Sequence, residues 1–104
     1  MKEEALRKFG LADREIKVYL ALLELGEALA SKIAEKTNIP RTLSYDILEN
    51  LLKKGLVSYV IKSNKKYFSA LDPNNLIEVL KNQTEEKERL IKEALPELLT
   101  LKSK

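Results

Sequence analysis

The chain has 104 residues, 44% of them hydrophobic, which suits one modest core and is too short for two. It contains no cysteine and no histidine, which removes disulfides, thiolate metal sites and the commonest general base and zinc ligand, so neither an enzyme nor a cofactor or metal site is expected. No apolar run reaches membrane-spanning length and Met1-Lys2-Glu3-Glu4 lacks the apolar stretch of a signal peptide, so a cytoplasmic protein with no membrane partner is expected.

In chain order, Leu6 and Phe9 before Gly10 predict a short helix with a glycine stop. Asp13 is placed to cap a second helix, whose apolar residues Ile16, Val18, Tyr19, Leu20, Leu22 and Leu23 run up to Gly26. Ala30, Ile33 and Ala34 mark a third, ending near Asn38 because Pro40 disfavours helix in the residue before it. Pro40 suits the first turn of a fourth, on which Ser44, Ile47, Leu48 and Leu51 fall at i, i+3, i+4 and i+7 before Gly55. Two helices joined by so tight a turn form a helix-turn-helix.

After Gly55 the period changes. Leu56 to Ile61 is rich in β-branched and aromatic residues, Ser63-Asn64 forms a turn, and Tyr67 to Leu71 completes a hairpin, or wing. Asp72-Pro73 then reads as a helix start, with Asp72 as cap, and helix formers continue to about Leu101, some 43 Å at roughly 1.5 Å per residue. Leu76, Val79 and Leu80 make a first apolar patch. After the polar run from Asn82 to Arg89, Leu90, Ile91, Ala94, Leu95, Leu98 and Leu101 make a second, suited to pairing with the same helix of another copy, with Pro96 as a possible kink site. The expected fold is mostly α with a small β-hairpin wing. A winged helix-turn-helix over residues 1–71 is followed by a long C-terminal dimerisation helix over 72–104, as part of the same compact unit.

Charge is distributed unevenly. Residues 1–37 carry seven basic and seven acidic side chains, 38–70 six and two, and 71–104 six and seven, so the whole positive excess lies in the middle third, which is net +4 against −1 in the last third. That segment holds the fourth helix and the wing. A recognition helix puts its first turns into the major groove, where side chains reach base edges and phosphates. Here Pro40 opens that turn, Arg41 can bond guanine in bidentate fashion or clamp a phosphate, Thr42 and Tyr45 can donate to phosphate or touch a thymine methyl, and Leu43 can make an apolar contact. Lys53, Lys54, Lys62, Lys65 and Lys66 can lie along the sugar-phosphate backbone, and Ser31 and Lys32 can reach a phosphate from the third helix.

Each reading has a plainer counterpart. Arg41 and Thr42 can be a solvated helix face, Tyr45 can cover the core, hairpin lysines protect edges, and Ser31 can be only a cap. Asp46 and Glu49 read as surface groups that would repel phosphate. Glu85, Glu86 and Glu88, the best candidates for acid-base chemistry, fall in a charged helical run, not a pocket, and the isolated Gly10, Gly26 and Gly55 form no phosphate loop.

The residues resemble the TrmB-type transcriptional regulators, a family found mainly in archaea. The likeness runs through Phe9-Gly10-Leu11, Glu15 to Gly26, Ile33-Ala34-Glu35-Lys36, Ile39-Pro40-Arg41-Thr42, Tyr45-Asp46-Ile47-Leu48, Lys53-Lys54-Gly55-Leu56-Val57, Lys66 to Ala70 and Asp72-Pro73. It implies a winged helix that binds duplex DNA as a dimer at a palindromic site, with Pro40, Arg41, Thr42 and Tyr45 nearest the DNA. At Leu43 and Ser44 the chain departs from the family pattern of a polar residue followed by a β-branched one. Larger members continue into a sugar-binding domain; no small-molecule ligand is expected for this chain.

The function expected is a homodimeric, sequence-specific double-stranded-DNA-binding regulator, more specifically a repressor, with half-sites about 34–36 Å apart. The alternative is a winged-helix protein-interaction module that docks on transcription machinery or pairs with a larger regulator.

Overall fold

A computed structural model describes residues 1–104. The helices are α1 (Lys2–Phe9), α2 (Asp13–Leu25), α3 (Ala30–Thr37), α4 (Arg41–Lys53) and α5 (Leu76–Lys102), and the strands are β1 (Glu27–Ala28), β2 (Val57–Lys62) and β3 (Lys65–Ala70). Internal packing divides the chain into two units, Met1–Pro73 and Asn74–Lys104. No helix is long and apolar enough to cross a membrane.

In the first unit α2, α3 and α4 pack on one another and on an antiparallel sheet of order β1-β3-β2. The sequence period explains the packing: Ile47, Leu48 and Leu51 of α4 are buried against Val18, Tyr19 and Leu22 of α2 and Ile33 of α3, with Leu56 and Phe68 from the wing's base. Ser44 is buried on the same stripe, where its hydroxyl donates to the carbonyls of Pro40 (3.1 Å) and Ile39 (3.4 Å). A small, satisfied polar group there lets neighbouring helices approach without an orphaned donor.

The turns follow from local chemistry. Asn38 takes the left-handed conformation (φ 59°) at the end of α3, so that Ile39 and Pro40 can open α4. Gly55 (φ 75°) does the same after α4, and the Leu56 N–H returns to the Leu51 carbonyl at 3.0 Å. At the wing tip Ser63 and Asn64 both have positive φ (51° and 63°), which gives the two-residue reversal whose twist matches the strands. Below it Val57 faces Ala70, Tyr59 faces Phe68 and Lys62 faces Lys65.

Four local expectations are corrected. The cap position of α2 is Ala12, not Asp13; Asp13 lies inside the first turn and accepts from Arg7 Nε (3.0 Å), while Glu15 reaches back to the Ala12 N–H (2.8 Å). Ser31 does not cap α3, whose N-cap is Leu29. Pro40 stands just outside α4 as its N-cap. Asp72 does not cap α5: Pro73–Asn75 form one 3₁₀ turn and the α-helix begins at Leu76, with Asn75 as N-cap. Strand β1 was not foreseen; two residues carry no readable alternation.

Tyr19 couples α2 to the exit of the wing. Its ring is buried and its hydroxyl donates to the Leu71 carbonyl at 2.8 Å. Burial first, and the negative charge of Asp72 second, raise its pKa above the usual 10.0. Because the folded state holds this proton more tightly, stability falls as the pH rises past the unfolded value. Tyr19→Phe is expected to cost about 1 kcal/mol at neutral pH through the lost hydrogen bond. It should also reduce the alkaline decline, as thermal unfolding followed from neutral to alkaline pH will show.

The second unit is essentially α5. Its 27 residues make a rod of about 40 Å that runs on through Pro96, and none of them is buried. Ion pairs along it link Arg89 to Glu86 (2.6 Å) and Glu93 (2.8 Å), and Lys92 to Glu88 (3.0 Å). Glu86 and Glu88 are thereby engaged as helix-surface partners, and the hydrogen bonds from Arg89 to Glu86 and then Glu93 raise the Arg89 pKa further. Leu90, Ile91, Leu95, Leu98, Leu99 and Leu101 are all exposed, and Ala94 is half-buried.

Candidate nucleic-acid interface

α4 presents its buried stripe to α2 and α3, so Arg41, Thr42, Tyr45, Asp46 and Glu49 are left on the outer face, with Leu43 half-buried beside them. The Arg41 guanidinium lies 5.9 Å from the centroid of the Tyr45 ring, and its Nη2 is 3.5 Å from the tyrosine hydroxyl. Tyr45 is 45% exposed, so it supports the arginine and does not cover the core.

The hairpin turn brings the wing alongside. Ser31 of α3, Arg41 and Tyr45 of α4, and Asn64, Lys65 and Lys66 of the wing line one open cleft of about 390 Å³. The Lys66 ammonium sits 4.6 Å from the Tyr59 ring centroid. Three cations from two elements distant in sequence thus converge, and no carboxylate lines the cleft.

The helix ends point the same way. α1, α2 and α5 carry acidic residues in their first turns, as favoured by the positive end of the helix dipole. α3 and α4 carry none, and α4 starts with Arg41, a cation at the end where it is disfavoured. Those are the two helices that reach the cleft. Charge there is arranged against local helix stability and toward an anion.

The other candidate residues are placed differently. Pro40 and Thr42 are exposed next to the cleft without lining it, and Lys53 is exposed at the far end of α4. Lys32 is exposed on α3, 3.9 Å from Glu35. Lys54 donates to Glu15 Oε1 (2.8 Å) and to the Gly10 carbonyl (3.3 Å), with Glu15 almost fully buried. Lys62 donates to Glu27 Oε1 at 2.5 Å and lies 5.7 Å from the Tyr67 ring. Glu15, Glu27, Tyr59 and Asn64 were missed as parts of this surface. Glu15 and Glu27 meet lysines 39 and 35 residues away, so no local pattern signals them, whereas Tyr59 meets Lys66 across the hairpin only once the strand register is set.

A family profile described as "Sugar-specific transcriptional regulator TrmB" matches residues 6–74. The chain belongs to the TrmB family. It is 30% identical over 95 residues to the HTH-type sugar sensing transcriptional regulator TrmBL1 of Pyrococcus furiosus, covering 91% of this chain and 28% of that protein. Among solved structures, TrmBL2, described as an archaeal chromatin protein with a novel mode of DNA binding, superimposes with a TM-score of 0.70 and 28% identity, over 96% of this chain and 40% of its own. The ST1889 protein of Sulfolobus tokodaii shares the fold, with a TM-score of 0.65 and 21% identity over 86% of this chain and 98% of its own. The winged-helix fold is therefore established from both directions, although the chain spans less than half of TrmBL1 and TrmBL2.

Proposed function

We propose that this protein is a homodimeric transcriptional regulator, acting as a repressor, that binds double-stranded DNA through the first turns of α4 and the wing. The observation that carries this reading is the cleft in which Arg41, Lys65 and Lys66 meet with no opposing carboxylate. Arg41, Thr42 and Tyr45 read base edges, Leu43 adds apolar contact, and Pro40, Ser31 and Lys32 lie beside the phosphates. Lys53, Lys65 and Lys66 supply the sequence-independent attraction. α5 pairs two copies through Leu90, Ile91, Ala94, Leu95, Leu98 and Leu101, which gives one molecule two reading heads. Sugar sensing, the role for which TrmBL1 is named, is not part of the proposal.

The test is binding to the DNA upstream of the protein's own gene and to unrelated duplex, at two salt concentrations. A specific regulator prefers the former, and the preference persists as salt rises. Replacing Lys65 and Lys66 with Gln is expected to weaken binding to both duplexes alike and to flatten the dependence of log K on log salt by roughly 0.9 per lost phosphate contact. Weak, equal binding that vanishes with salt would favour the protein-interaction reading. The exposed Tyr59, Val60 and Ile61 on edge strand β2 then become the surface to examine.

A further inference from the structure

We propose, resting on the DNA-binding reading above, that Glu27 is a negative determinant of DNA affinity: its carboxylate holds the Lys62 ammonium and withdraws one wing cation from the DNA-binding charge. Six basic residues occupy positions 38–70. Two of them, Lys54 and Lys62, are ion-paired to acids from outside that segment, Glu15 and Glu27, whereas Arg41, Lys53, Lys65 and Lys66 form no ion pair. A cation already neutralised by a carboxylate displaces little of the counterion atmosphere of a phosphate, so of the six cations in this segment DNA meets four per protomer.

The two masked lysines differ in kind. Glu15 is almost fully buried and also accepts from Ala12 N–H, so its pair with Lys54 is part of the framework. Glu27 and Lys62 are both largely exposed, with side-chain exposures of 40% and 60%, so their pair opens at little cost and can be removed without disturbing the core. Strand β1 places Glu27 opposite Ser69, on the face of the sheet shared by Tyr67, Lys62 and Lys65. Lys62 stands directly across from Lys65, a like-charge pair that Glu27 relieves.

That geometry makes two roles distinguishable by sign. If Glu27 only steadied the wing, its loss would weaken DNA binding. As a masking group, its loss must strengthen binding and steepen the salt dependence.

The experiment measures log K against log salt for the full chain and for Glu27→Gln, Lys62→Gln and the double variant. Glu27→Gln is expected to steepen the slope by about 0.9 per protomer, so that raising salt fourfold costs about 3.5-fold more affinity per protomer than in the parent. Lys62→Gln alone should leave the slope unchanged, unlike Lys65→Gln, and in the double variant the gain should vanish. A gain that survives in the double variant would assign the effect to net charge at large and overturn the proposal. So would weaker binding by Glu27→Gln, or a slope as flat in Lys62→Gln as in Lys65→Gln. If the parent protein shows no salt-dependent binding to any duplex, the DNA-binding reading itself has failed.

Discussion

Ile91→Lys combined with Leu98→Lys is expected to turn a dimer into a monomer and to cost more DNA affinity than any single change at the reading head. Both residues lie on one stripe of α5, seven positions apart, and are 59% and 49% exposed in the single chain. In a two-fold pairing four such side chains are covered, each gaining about half the 1.5–3 kcal/mol of full burial, or about 3–6 kcal/mol together. Dimer dissociation should therefore weaken by roughly two to four powers of ten before charge repulsion is added. The monomer keeps its own core, because no residue of α5 is buried within the chain. Light scattering with circular dichroism is the check: half the mass with the helical signal largely retained supports pairing through α5, whereas an intact dimer assigns the contact elsewhere. For DNA, losing the second head removes the effective concentration that makes bivalent binding about 10²–10⁴-fold tighter.

The sequence was most readable where a period repeats. The stripe Ser44, Ile47, Leu48 and Leu51 located α4 and its outer face together, since placing four residues in the core leaves Arg41, Thr42 and Tyr45 outside. A run of β-branched and aromatic residues on either side of two turn-forming ones located the wing. Helix starts were less legible because several chemistries compete for the same position. Asp13 reads as a cap, yet Glu15 bonds the Ala12 N–H first, and Asp72-Pro73 leads into a 3₁₀ turn before α5. Least legible was the state of each cation. Lys62 and Lys65 look equivalent along the chain, but only the folded sheet brings Glu27 to Lys62, across 35 residues of separation. Charge counted by segment overstates what a ligand meets.

Arg41→Ala is the change expected to alter which DNA is bound. Arg41 is the first residue of α4, exposed and not ion-paired, and stacked near Tyr45, so its fork of donors is held ready without a carboxylate to displace. A bidentate contact to a guanine discriminates against other bases by about 1–3 kcal/mol. The alanine variant should lose that preference at one position per half-site, while duplexes differing elsewhere keep their order. Arg41→Lys separates the two duties of the residue, because lysine keeps the charge and gives up the planar fork. If Arg41 reads a base, the lysine variant retains the parental salt slope but not the preference, as binding to single-base variants of the operator will measure. If the base preference is unchanged in both the alanine and the lysine variants, Arg41 clamps a phosphate, and base reading falls to Thr42 and Tyr45 on the same exposed turn.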